Sequence, residues 1–135
     1  MDAFLDLFSL KRREGDRVYI DWLVDIPVPG QDSFIAFFGR DISTGGMRLE
    51  GTSLDRVEQI TSSGKHTRLS IRVPNVGRVI EVDAELKWGP VGEDKPQTGW
   101  EFTRLGREER RFIENYINAH IDDLVKPEDQ GNGTE

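Results

Sequence analysis

Two short runs of the sequence hold residue types that can act together. The first, Arg13-Glu14-Gly15-Asp16-Arg17, sets two guanidinium groups four positions apart. The second, Asp41-Ile42-Ser43-Thr44-Gly45-Gly46, sets a carboxylate, a hydroxyl and a glycine that admits a close neighbour within six positions. Guanidinium groups fork onto oxyanions and stack on flat rings, so this chemistry is recognition rather than bond breaking. On residue chemistry alone a plainer reading is favoured, in which the arginines are solvated charges and the second run is an Asx-type turn after a strand.

Catalytic alternatives find little support. The two histidines, His66 in a polar stretch and His120 on a helical one, have neither metal-ligand spacing nor a neighbouring nucleophile motif. Glu81, Asp83 and Glu85 alternate along one strand, which puts them in water on its outer face, where nothing tunes a carboxylate for acid–base work. Ser43-Thr44-Gly45-Gly46 lacks the spacing and the lysine of a phosphate-binding loop. The sequence therefore predicts no enzyme, no metal and no cofactor.

The elements that must position the two runs follow from composition and periodicity. The chain has 135 residues, no cysteine and a net charge of −7. That length predicts one domain, and the missing cysteines favour a reducing, cytoplasmic address. The acidic balance argues against general DNA or RNA binding. No window approaches the roughly 20 apolar residues of a membrane span, and the first residues lack the order of a signal peptide.

Residues 1–10 carry Phe4, Leu5, Leu7, Phe8 and Leu10 and read as a short amphipathic turn, followed by a local positive spot over residues 11–17. From Val18 the period is two: Val18, Ile20, Trp22, Val24 and Ile26 alternate with polar or exposed positions. A turn over residues 27–32 leads to a second strand over 33–38, and a brief third strand is expected over 47–50. Residues 51–64 read as a polar connection or a loose helical turn. Strands over 67–73 and 79–88 are joined as a hairpin by Pro74-Asn75-Val76-Gly77, and a loop over 89–97 precedes a last strand over 98–104. The alternation of the fifth strand puts Trp88 in the core, with stacking on a ligand at the barrel rim as the other reading. A helical stripe of Phe112, Ile113, Tyr116, Ile117, Ile121, Leu124 and Val125 predicts a helix over 107–125, stopped by Pro127 and followed by a disordered tail. About six antiparallel strands and one terminal helix predict a small mostly β domain, a closed or nearly closed barrel capped by that helix.

Taken together, Arg-x-x-x-Arg followed about two strands later by Asp-x-Ser-x-x-Gly resembles the bacterial PilZ domain. The strand ending in Trp88 and the Gly99-Trp100-Glu101-Phe102 run followed by a helix agree with it. The resemblance covers roughly residues 10–121. It implies a six-stranded antiparallel PilZ-type β-barrel with a C-terminal α-helix over residues 10–125, an N-terminal extension over 1–9 and a tail over 126–135. It also implies a receptor for cyclic di-GMP. By matching position, Arg13 and Arg17 would hold phosphates and guanine edges, Asp41 would accept from a guanine, Ser43 would contact the ligand and Gly46 would leave room for it. Arg12, just before the first motif, would favour an intercalated pair of ligands. Arg40, beside Asp41, reads either as a neighbouring salt bridge or as a further phosphate contact.

The ligand suits these residue types. Two phosphates and two flat purines call for arginine rather than lysine, and guanine N–H groups call for one carboxylate. Gly15 and the unpatterned stretch before Val18 predict that the arginine segment closes over the ligand and presents a new surface to a downstream protein partner. The alternative is a protein–protein adaptor whose barrel works without ligand.

Overall fold

The structure is a computed structural model that describes residues 15–125. Strand β1 (Val18–Pro27) follows the predicted alternation, with Val18, Ile20, Trp22, Val24 and Ile26 turned into the core. Strands β2 (Phe34–Ile42), β3 (Gly46–Glu50), β4 (His66–Val73), β5 (Arg78–Val91) and β6 (Gln97–Arg104) complete a closed barrel in the order β1-β2-β3-β6-β5-β4. All neighbours run antiparallel. Closure leaves no open sheet edge, so a small domain satisfies its backbone groups without an oligomer. Alternate residues of every strand meet inside, where Phe37, Leu49, Leu69, Ile71 and Ile80 are almost completely buried. The β4–β5 hairpin turns through Asn75 and Gly77, both with positive φ, as the predicted turn requires.

Three local expectations need correction, and one open reading is decided. Strand β2 does not end at Phe38 but runs on to Ile42. It does so through a register shift between Gly39 and Asp41 that makes Arg40 an extra residue opposite β3. That bulge breaks the alternation, so Asp41 and Ile42 are buried in succession. The stretch over residues 51–64 contains a two-turn helix, α1 (Leu54–Thr61), capped by Ser53, whose side chain accepts from the backbone N–H of Arg56. It buries Val57 and Ile60, an apolar pair too brief to announce a helical period.

Strand β5 continues through Gly89 and Pro90 to Val91, where a loop was expected. Finally, helix α2 (Arg107–Ala119) stops short of Val125. His120 ends it: its backbone N–H bonds to the carbonyls of Tyr116 and Ile117, and its ring stacks on Tyr116 with centroids 3.9 Å apart. A short 3-10 turn (Ile121–Asp123) follows, after which Leu124 forms an isolated bridge with Val18. Helix α2 covers the barrel through the buried Ile113 and Ile117, and Tyr116 meets Trp22 edge to face.

Residues 1–14 and 126–135, with the amphipathic turn, the positive spot except for residues 15–17, Pro127 and the tail, lie outside the described residues.

Candidate functional site

Arg17, the described arginine of the first motif, meets the second motif at one mouth of the barrel. Arg17 lies just before β1, Asp41 near the end of β2, Ser43 in the β2–β3 turn and Gly46 at the start of β3. The antiparallel pairing Tyr19↔Asp41 carries the beginning of β1 to the end of β2. Arg17 Nε donates to Asp41 Oδ1 at 2.8 Å, and its Nη1 donates to Ser43 Oγ at 3.3 Å. The end of β2 and the residue just beyond it thus bring a carboxylate and a hydroxyl onto one guanidinium.

The β2–β3 turn is held by its own polar groups. Ser43 N–H donates to Gly46 O at 2.8 Å, and Gly45 N–H donates to Ser43 Oγ at 3.1 Å. Gly46 has a structural reason to be glycine: a Cβ there would overlap the carbonyl oxygen of Trp100 on β6. The space that a glycine leaves at this position is thus taken up first by strand pairing, although Gly46 also lines the cleft.

A side chain absent from the sequence reading completes the group. Arg48 Nε donates to Asp41 Oδ2 at 2.8 Å, so both oxygens of this carboxylate, only 6 % exposed, are held by arginines. Arg48 Nη1 donates to Gln97 Oε1 on β6, and Gln97 Nε2 donates to Glu50 Oε1 at 3.1 Å. The available signal was the period of two that sets Gly46 and Arg48 on one face of β3.

These residues line a cleft of about 730 Å³, within the range of small-molecule sites. Arg17, Asp41, Ser43, Gly46, Arg48 and Trp88 all face it. Trp88 is not a core residue. Register shifts on both sides of it in the β5–β6 pairing take it off the inner face, and it lies half-buried against Gly99, where any Cβ would run into the indole. A flat aromatic surface is thereby presented beside the arginines.

Arg40 is resolved as a structural residue. It bonds to Asp21 at 2.9 Å and to Glu50 at 3.1 Å, lies over the Phe38 ring, and is not among the residues lining the cleft. Its hydrogen bond holds the Glu50 carboxyl below the ordinary glutamate range, overcoming the opposite effect of burial. Arg12 and Arg13 lie outside the described residues. Among the described residues no group of three metal-ligating side chains occurs, and no helix is long and apolar enough to cross a membrane.

Comparison with known proteins agrees with this fold. The barrel superposes on the Bacillus subtilis inhibitor of motility (MotI/DgrA) with a TM-score of 0.59 at 22% identity, covering 82% of this chain and 52% of that one. It also superposes on the PilZ domain of Escherichia coli YcgR with c-di-GMP, with a TM-score of 0.58 at 16% identity, covering 80% of this chain and 91% of that one. A third similar structure, the Borreliella burgdorferi PlzA protein in complex with c-di-GMP, gives a TM-score of 0.58 at 8% identity, covering 93% of this chain and 59% of that one. The chain thus spans about half the length of the Bacillus protein and most of the Escherichia domain. A search of curated proteins finds no match. The PilZ domain family model matches residues 11–119, across all six strands and into α2, and the chain belongs to the PilZ domain family.

Proposed function

We propose that the chain is a non-enzymatic, cytoplasmic receptor for cyclic di-GMP that signals to a protein partner. The observation that carries this reading is the gathering of Arg17, Asp41, Ser43 and Gly46 around one cleft, with Trp88 beside them. Each supplies something the ligand needs. Arginine forks onto a phosphate or a guanine edge, the carboxylate accepts guanine N–H groups, and the indole offers a plane on which a purine stacks. Two similar proteins were solved with c-di-GMP, which supports the choice of ligand.

In the structure Arg17 donates to one oxygen of Asp41 and Arg48 to the other. Each oxygen keeps a second lone pair, so Asp41 can accept a guanine N–H with both arginines in place, and a phosphate beside the site competes with Asp41 for Arg17. Arg17 turning to that phosphate exchanges one charge-assisted bond for another. Arg12 and Arg13 precede this residue and are assigned to the ligand with it, Arg12 favouring two stacked ligands per chain. Movement of this segment is the signal offered to the partner.

Isothermal titration calorimetry of the chain with cyclic di-GMP, with GMP and cyclic di-AMP as controls, tests the reading. Micromolar or tighter binding selective for cyclic di-GMP is expected, at two ligands per chain. Removing a charged group from a ligand phosphate costs about 2–5 kcal/mol, so Arg13→Ala and Arg17→Ala should each weaken binding by tens to thousands of fold. Arg68→Ala, whose side chain pairs with Glu81 and Asp83 on the outer wall, should bind as the parent does. Absence of heat at several temperatures, with no thermal stabilisation, would transfer the assignment to an adaptor that works without ligand.

A further inference from the structure

Asp41 balances only one of the two arginines it touches. With Arg17 alone the described part of the site would be a neutral pair, which gives a dianionic ligand no net attraction. Arg48 makes the trio Arg17–Asp41–Arg48 singly positive. The other cation lining the cleft, Lys87, lies 3.3 Å from both Glu85 and Glu101 and is already matched. Arg48 is also aimed. Its Nε is fixed by Asp41 and its Nη1 by Gln97, while its Nη2 has no hydrogen-bond partner among the described residues. Gln97 is itself oriented by Glu50 and by the Lys95 carbonyl.

We infer that Arg48, outside both sequence motifs, binds a phosphate of the ligand directly, and that Gln97 is the positioning residue that holds its guanidinium toward the cleft. This rests on the cyclic di-GMP reading of the same cleft and adds a residue to it. A guanidinium clamped on two of its nitrogens loses little side-chain freedom when an anion arrives on the third, which is the condition for a large contribution to affinity. When Arg17 turns away from Asp41 toward the ligand, the Arg48–Asp41 bond still holds the carboxylate in place.

The test is titration of cyclic di-GMP into the parent, Arg17→Ala, Arg48→Ala, Arg48→Lys, Gln97→Leu and the Arg48→Ala/Gln97→Leu pair, at several salt concentrations. Loss of a charge-assisted bond predicts that Arg48→Ala weakens binding by about 10–100-fold. Its affinity should also fall less steeply with salt than the parent's, since one ionic contact is gone, a readout that mere loosening of the fold leaves unmoved. Arg48→Lys, which keeps the charge and loses the fork, should fall between the two. Gln97→Leu should weaken binding several-fold in the parent and add nothing to Arg48→Ala, because its whole effect passes through the guanidinium. Parent-like affinity and salt slope in Arg48→Ala, beside a clear loss in Arg17→Ala, would overturn the assignment of Arg48 and leave the receptor reading standing. Strictly additive losses would remove Gln97 from its role, and no binding by the parent would overturn both readings.

Discussion

At Asp41 one carboxylate answers two guanidinium groups from separate stretches of the chain, Arg17 before β1 and Arg48 on β3, and the consequence reaches the stability of the fold. Removing its charge leaves Arg17 and Arg48 facing each other with no counter-ion between them. Asp41→Asn keeps the size of the side chain and should cost about 1–3 kcal/mol of stability, a loss of charge-assisted bonds from a buried acceptor moderated by the partial exposure of both arginines. Urea unfolding followed by tryptophan fluorescence measures it, and a midpoint equal to the parent's would show that the arginines find other partners. At this scale only the spacing of the family's motifs, and not residue chemistry, marks Arg17, Asp41, Ser43 and Gly46 as candidates. Arg48 is not marked, because along the chain it looks no different from Arg68 or Arg72, which pair with carboxylates on the outer wall. What separates them is a bulge at Arg40 and the pairing of β3 with β6, neither of which a local period encodes.

Among the elements, β3 is the shortest strand and the one on which the site depends most. It joins β2 to β6 and carries Gly46 and Arg48 within five residues. Its backbone approaches β6 so closely at Gly46 that a methyl group would meet the Trp100 carbonyl. Gly46→Ala must therefore push the two strands apart, at about 1–3 kcal/mol by the usual cost of overpacking. A lowered melting temperature together with weakened ligand binding is the expected result. An unchanged melting temperature with lost binding would locate the role of Gly46 in the ligand rather than in the pairing. The strands themselves were legible from alternation, since one buried face imposes a period of two. Helix α1 was legible only as one of two readings because its apolar face rests on Val57 and Ile60, and the end of α2 was misplaced because Ile121, Leu124 and Val125 keep a helical spacing while His120 turns the backbone. Trp88 followed the same logic in reverse: its parity is that of a core residue, and two register shifts move it to the cleft.

For the whole molecule, pairing of β1 with β4 closes the barrel, and the family resemblance rather than the periodicity settled which barrel it is. Its outer wall is crossed by ion pairs, of which the Arg40–Glu50 pair is the least exposed on its acidic side. A carboxyl whose pKa is lower in the folded than in the unfolded chain contributes stability in full above the unfolded value, about 4.3 for glutamate, and loses it as pH falls through the folded value. Glu50 belongs to this class through its hydrogen bond to Arg40. Glu50→Gln should then be less stable than the parent at pH 7, and the difference between their urea midpoints should close as pH is lowered from about 5 to about 3. A gap that stays constant across that interval would assign the effect to packing instead of charge.

The backbone N–H of Val125 donates to the carbonyl of Arg17 at 2.9 Å, and Leu124 bridges Val18. The segment after α2 is thereby buckled to the residue that reaches into the cleft. The Val125 amide is thus shielded from hydrogen exchange by a bond whose acceptor is the backbone of Arg17. If an anion in the cleft carries the Arg17 backbone along with its side chain, this bond opens and deuterium enters the Val125 amide faster; if the side chain alone turns, the amide stays shielded.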